Sequence, residues 1–450
     1  MTQLTFEYEQ HQLSAITTQI LDKSLKLGAT SAQIEVNEII STGVDILSGN
    51  VENFETSYSS SLTLCVYVGH NRGSISISQI NPHNIDEIIQ QGLSIAKHTE
   101  ADQYNGIAEK DFLCTSTPPE LELNLYNPYF VSNQELINRA KNIENISLAQ
   151  SNKIKASDGA SISYGQYNFA IANTNGLNLG YKTTRYSSSI SLIGENTDGM
   201  QTDGWYDNSR DYHELIDDSN LAKTAVYRTL RRLNKGQLNK SGQYSIIFES
   251  SIAKSLIGSY IGAISGNNLF RRLSFLNDSM HQQIFPNWVN IIEDPFINKG
   301  NSSCYFDGEG VNVARRNLVQ DGKVNGYILN CYSARKLGMI TTGNAGGNHN
   351  LLVNSNFSGD IAQLANKLHQ GMIIIETIGH GINMVTGDYS VGASGLWVDN
   401  GEIQFFVDNL TISGNLKQIY QNIRYISDDY NPHSSIHCGS MLIDGINVAV

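Results

Sequence analysis

The sequence predicts an α+β fold, with two helix-plus-antiparallel-meander units in the N-terminal half and a β-rich C-terminal domain. Three observations predict it. An apolar stripe at helical spacing followed by β-branched runs occurs twice before residue 236, a proline-bearing stretch separates the two occurrences, and beyond it short strand runs alternate with glycine turns. The 450 residues therefore divide into an N-terminal α+β unit at 1–100, a linker at 101–130, a second α+β unit at 131–236 and a β-rich domain at 237–450.

Leu13, Ile16, Ile20, Leu21, Leu25 and Leu27 recur at helical spacing and stop at Gly28, which predicts a helix over 10–28. Ser31 to Ser41, Gly43 to Tyr58 and Ser61 to Ile77, the last passing through a turn at Gly69–Gly73, predict a meander of three or four strands. Ile85, Ile88, Ile89, Leu93 and Ile95 then restore the helical period over Asn84 to His98. Thr117-Pro118-Pro119 and Asn127-Pro128 suit a linker, because proline disfavours helix interiors and central strands.

Gln134 to Gln150 reads as the next helix, and Ile154 to Ile193 as strands broken at Asp158-Gly159, Asn173–Gly176 and Thr183-Thr184. A helix over Asn220 to Leu233 ends on Arg228, Arg231 and Arg232, which suits the negative pole of its dipole. The same order thus appears twice, as an ancient duplication would leave it, although no residue-level repeat is visible. In the last domain Ser245 to Phe248 is a strand and Ser250 to Ser265 a helix opened by serine caps. Glycine turns follow at Asp307–Gly310, Asp321-Gly322-Lys323, Gly343–Gly347 and Gly387–Ser390.

Lysine plus arginine number 30 against 43 aspartate plus glutamate, a net charge of −13, which repels a nucleic-acid backbone or an anionic membrane. No apolar run approaches the ~20 residues of a membrane span. The N-terminus carries Glu7 and Glu9 and no basic patch with an apolar core, so a cytoplasmic address is expected. Five scattered cysteines with no C-x-x-C pair point to reduced thiols.

Four constellations could carry chemistry. His213-Glu214 begins like a zincin motif but is followed by Asp217 and Asp218 instead of a second histidine, and reads equally as a helix start. Ser333-Ala334-Arg335-Lys336 has the spacing of a Ser–Lys dyad without its usual companion motifs. His433 and His437 precede Cys438, but Pro432 and the serines favour an extended segment, in which four residues at about 3.3 Å each separate the imidazoles too far for one ion. The glycine-rich run Gly379–Gly395, with His380, Gly387, Asp388, Tyr389 and Ser390, could expose backbone groups to a peptide added as a strand, or form a plain hairpin. No phosphate-binding glycine motif occurs.

The order of motifs resembles the PmbA/TldD family of peptidases. It rests on Phe306-Asp307-Gly308-Glu309-Gly310, Tyr332–Gly338, Thr341–Gly347, Val385–Gly395, Gly401-Glu402-Ile403 and Ile412–Leu416, with Phe54–Ser59 and Ala96–Thr99 in the first half. The resemblance lies on the PmbA (TldE) side and implies a cytoplasmic metallopeptidase system that cleaves leader segments or unfolded peptides. In the TldD branch a helix carries H-E-x-x-x-H, which with a distant cysteine is similar to a zinc site. Laid on this sequence, those positions are Gly258, Ser259 and Ala263, none of which can bind zinc or act as a general base, and Cys438 resembles the remaining ligand.

The resemblance therefore implies a subunit that binds no metal of its own and acts with a TldD-like, zinc-bearing partner on a peptide, with Gly387, Asp388, Tyr389, Ser390 and His380 as substrate-binding candidates. Two alternatives stand beside it. One is a self-sufficient metallopeptidase with ligands such as His213, His380 or Cys438; the other is a non-catalytic peptide-binding partner.

Overall fold

The computed structural model describes residues 4–80, 84–116 and 121–450, so the Thr117-Pro118-Pro119 break of the expected linker lies outside the described residues. Strand β1 (Ser31–Leu47) alternates partly exposed and buried positions without a fault along its whole length, as a two-residue repeat on a half-covered sheet must. It pairs with β2 (Asn50–Val68), and β2 with β3 (Asn71–Ile77). On its other edge β1 pairs antiparallel with β4 (Ile154–Asn173), which continues into β5 (Asn178–Asn196) and β6 (Gly199–Ser209).

The two meanders are thus one six-stranded sheet of order β3-β2-β1-β4-β5-β6. The order mirrors about the β1–β4 pair, so both halves keep the strand order that a duplication requires. Helices α1 (Gln10–Lys26) and α2 (Ile85–His98) cover Ala32, Ile34, Val36, Leu62, Leu64 and Val66. Helices α3 (Asn133–Ala149) and α4 (Asp218–Arg231) cover Val44, Ile46, Ile162, Ile190 and Leu192 on the same face. The opposite face is polar, with Ser41, Asp45, Glu55, Ser163 and Arg185 around a cavity of about 320 Å³.

Four expected breaks are absent. Gly43, Ser59-Ser60 and Thr183-Thr184 lie inside β1, β2 and β5, and Asp158-Gly159 is a bulge within β4. A long strand accommodates small and β-branched residues and absorbs Asp158-Gly159 as the bulge, and the first hairpin turns instead at Ser48-Gly49, where both residues take positive φ.

Strand β7 (Gly242–Phe248) opens the C-terminal domain and lies parallel to β12 (Gln370–Ile378). With β13 (Asp388–Asp399), β14 (Glu402–Asn415), β17 (Met441–Ala449) and the edge strand β15 (Ile423–Ile426) it forms a sheet of order β14-β13-β12-β7-β17-β15. Pairing of β14 with β17, from Thr411↔Ala449 to Ser413↔Asn447, closes it into a barrel. A second sheet runs β10 (Lys323–Val324), β9 (Arg316–Gln320), β8 (Ile291–Asp294), β11 (Asn350–Val353), β16 (Ile436–His437).

Helix α5 (Ser250–Ala263), followed by the short α6 (Gly266–Phe270), packs against one face of all five barrel strands and against the second sheet. Its sequence explains the position, because Ala253, Leu256, Ile257, Tyr260, Ile261 and Ala263 are apolar most of the way round and all are buried. The expected serine cap is not used. Glu249 is the N-cap residue, and the Ser250 N–H donates to the Ser440 hydroxyl at 3.0 Å.

Two devices join the halves. Residues after Glu100 run as a strap held by α7 (Cys331–Leu337): Arg335 donates to the carbonyls of Tyr104, Gly106 and Ile107 and to Glu109, while Tyr332 and Lys336 both hold Asp102. The basic end of α4 is not left to the helix dipole. Arg228 bridges Asp203 and Glu249, Arg231 pairs with Glu249, and Arg232 bridges Asp203 and Glu376.

Gly73 sets how closely α2 lies on β3, since a Cβ there would stand 1.9 Å from the Gly92 carbonyl oxygen and 2.8 Å from the Ala96 nitrogen. Gly73→Ala is expected to lower stability by about 1–3 kcal/mol through overpacking. A urea midpoint equal to that of the wild type would contradict this packing.

Candidate functional site

Helix α5 presents a narrow accessible stripe of Ser251, Lys254, Ser255, Gly258 and Gly262 between its buried faces. At the three positions of interest a Cβ on Gly258 would meet nothing within 4 Å, Ser259 donates its hydroxyl to the Ser255 carbonyl, and Ala263 is wholly buried. A metal ion does not fit this set. It offers one hydroxyl, already committed as a donor, where zinc takes imidazole, thiolate or carboxylate.

Cys438 follows β16 and lines a small recess with Ser250, Ser251 and Lys254 of α5. The side chain is 1% exposed, and burial, assisted by the charge of Asp429, pushes its thiol well above the ordinary range. That favours a neutral thiol over a metal-binding thiolate. Among the described residues no three His, Cys, Asp or Glu side chains converge in an arrangement that could hold a metal ion.

Of the candidate histidines, His213, His433 and His437 are occupied. His433 shares Nδ1 with both oxygens of Asp207 at 2.8 and 2.9 Å, and this bond chiefly raises its pKa. His437 stacks on Tyr430 at 5.0 Å, and burial lowers its pKa. His213 packs edge-on against Tyr129, Glu214 binds Lys299, Asp217 caps α4, and Asp218 holds Arg139. The zincin-like string is therefore a helix start. Ser333 is the third residue of the α7 capping box and is bonded to Asn330, while Lys336 binds Asp102, so the two do not form a dyad.

The glycine-rich run is a hairpin. Strand β13 pairs with β12 on one edge and β14 on the other, and Ser390 N–H donates to Gly381 O just beyond, so no free edge remains for a peptide added as a strand. Of the candidates, Gly387 makes the turn at φ +80° and Tyr389 points into the core. His380, Asp388 and Ser390 are exposed. Asp388 is kept ionised by Thr386 and Asn415, whose hydrogen bonds lower its pKa.

The 306–310 and 341–347 motifs interlock with each other. Asp307 accepts from the N–H groups of Glu309, Val311 and Ala345, while Gly308 N–H donates to Ala345 O. Burial dominates at Asp307 and raises its pKa to about 6. Fully buried Glu293 accepts from Arg316, Asn344 and His349, fixing the second loop; burial would raise this carboxyl, but His349 and Arg316 prevail and lower it to about 2.

The family descriptions "PmbA/TldA metallopeptidase central domain" and "PmbA/TldA metallopeptidase C-terminal domain" match residues 126–233 and 241–450. The Metalloprotease PmbA of Escherichia coli O157:H7 is 36% identical over 420 residues, 93% of this chain and 92% of that one. The chain belongs to the PmbA/TldD metallopeptidase family. Its fold matches that of a Bacteroides thetaiotaomicron chain at TM-score 0.92, with 22% identity over 99% of this chain and 100% of the other. It also matches TldE from Thermococcus kodakarensis at TM-score 0.80, with 17% identity over 97% and 100%.

Sequence reasoning missed a polar cleft beside α5, lined by Arg185, Tyr206, Lys254, Asn301, His433 and Ser434 among others. Its residues come from β5, β6, α5 and two loops, so no single motif announces it; the nearest signals are the His433–Cys438 string, which supplies His433 and Ser434, and Lys254 on the accessible stripe of α5.

Glu249 couples α5 to α4. Burial would raise its pKa, but Arg231 and Arg228 lower it to about 2. A depressed carboxyl contributes stability above its unfolded value and loses it as pH falls through the folded one. Glu249→Gln is therefore expected to cost about 3 kcal/mol near neutrality. The gap to wild type should close as pH falls from about 4 to 2, as followed by denaturant midpoints; a gap constant with pH would contradict the pairing.

Proposed function

We propose that this chain is the TldE-type subunit of a peptidase complex, which supplies no metal ligand itself and acts with a TldD-like, metal-bearing partner. The observation that carries this reading is α5, where glycine, serine and alanine occupy the three positions at which a metallopeptidase helix would place its ligands and base. The likeness in fold to a chain named TldE supports it.

In this reading the zinc and the water it activates belong to the partner. The chain's own contribution is to shape the cleft and hold an unfolded or leader peptide in extended form, using the exposed side chains of His380, Asp388 and Ser390 and the polar cleft beside α5. The partnership is cytoplasmic and involves no nucleic acid or membrane; among the described residues no helix is long and apolar enough to cross a bilayer.

The test is metal content and peptidase activity of the purified chain, alone and mixed with a TldD-like subunit. The lone chain is expected to hold substoichiometric zinc and to leave an unfolded peptide intact, and the mixture to cleave it. Stoichiometric zinc together with cleavage by the lone chain would overturn the reading.

A further inference from the structure

The cleft beside α5 encloses about 220 Å³ between the N-terminal sheet and the C-terminal domain. Arg185, on β5, and Lys254, on α5, line it, and no carboxylate does, in a chain whose net charge is −13. Among the described residues neither cation makes an ion pair. Lys254 Nζ donates to the Tyr206 hydroxyl at 3.1 Å, and Arg185 Nη2 to the Asn301 carbonyl at 3.0 Å.

Arg210 lies behind them, 6% exposed. It donates to the carbonyls of Thr184, Gly300 and Asn301 and forms no ion pair among the described residues, and it shares the Asn301 carbonyl with Arg185. Desolvating a guanidinium without a counter-charge is costly, and an anion close by offsets the cost. Asp207, behind the cleft, has both oxygens engaged by His433 and the Ile216 N–H, while Asp45 and Glu55, which share the cavity on the sheet's polar face with Arg185, line that cavity and not the cleft.

The polar cleft continues into the small recess of Trp205, Ile436 and Cys438, the two sharing Tyr206, Lys254, Asn431 and Ser434. An anion-binding wall with a narrow apolar annex matches a carboxylate attached to a small side chain. We propose that this cleft is a binding site for the carboxylate of a peptide, held by Arg185 and Lys254, with the adjoining apolar group in the recess beside Trp205. The assignment rests on the peptide-handling role proposed above. It differs in needing no partner chain, because every residue named belongs to this one.

The experiment is calorimetric titration of the lone chain at low salt with three probes: a short peptide ending in a free carboxylate after a small apolar residue, the same peptide amidated, and inorganic phosphate. The free acid is expected to bind and the amide to bind about tenfold more weakly, the loss typical of one charge-assisted contact. Lys254→Gln and Arg185→Gln should each weaken the free acid by about the same factor and leave the amide unchanged, with thermal midpoints and circular dichroism as in wild type.

Equal affinity for acid and amide, no binding of either, or variants that bind the acid as wild type would each overturn the assignment. Phosphate binding more tightly than the free acid and displacing it would identify a phosphate site and overturn it as well. Carboxylate-dependent binding by a chain that gains no peptidase activity from any TldD-like partner would retain this site while removing the subunit reading.

Discussion

Glu249 is a single carboxylate on which the relation between the two halves depends. It stands between the end of β7 and the start of α5, and its two oxygens accept from Arg228 and Arg231 at the end of α4. Asp203 and Glu376 extend the pairing through Arg228 and Arg232, so three arginines face three acids from β6, the α5 cap and β12. Such a network is held by geometry more than by net energy, because desolvation offsets most of the Coulomb gain. Its effect is positional. It sets the first turn of α5 against the N-terminal sheet, and the polar cleft is the space left between them.

Much of the fold was legible in the sequence. The alternation of β1 and the apolar stripes of α1, α2 and α4 are local signals, and each led to the right element type. The failures were also local in origin: Gly43, Asp158-Gly159 and Thr183-Thr184 look like turns in a short window, yet they lie within strands whose length is set by neighbours on both sides. That both meanders share one sheet was not legible, because pairing of β1 with β4 joins segments more than a hundred residues apart.

The site divides in the same way. The identities of Gly258, Ser259 and Ala263 could be read from a resemblance in sequence, and the structure adds why they cannot coordinate. Ser333, Lys336, His213 and the glycine-rich run carried suggestive spacings, but a spacing does not say which partners a side chain will meet. Ser333 was claimed by a cap, Lys336 by Asp102, and β13 by two neighbouring strands. The motifs at 306–310 and 341–347 act as scaffolding: Asp307 and Glu293 gather backbone N–H groups and side-chain donors to hold two glycine loops together.

The open space over Gly258 and the burial of Ala263 belong to one helix but differ in what they permit. A large side chain placed at 258 would enter unfilled space, whereas one placed at 263 would have to displace packed core atoms. The two ends of the motif are thus unequally reversible. Placing a ligand set on this helix would require remodelling the core around its last turn, a larger change than a substitution at its open middle.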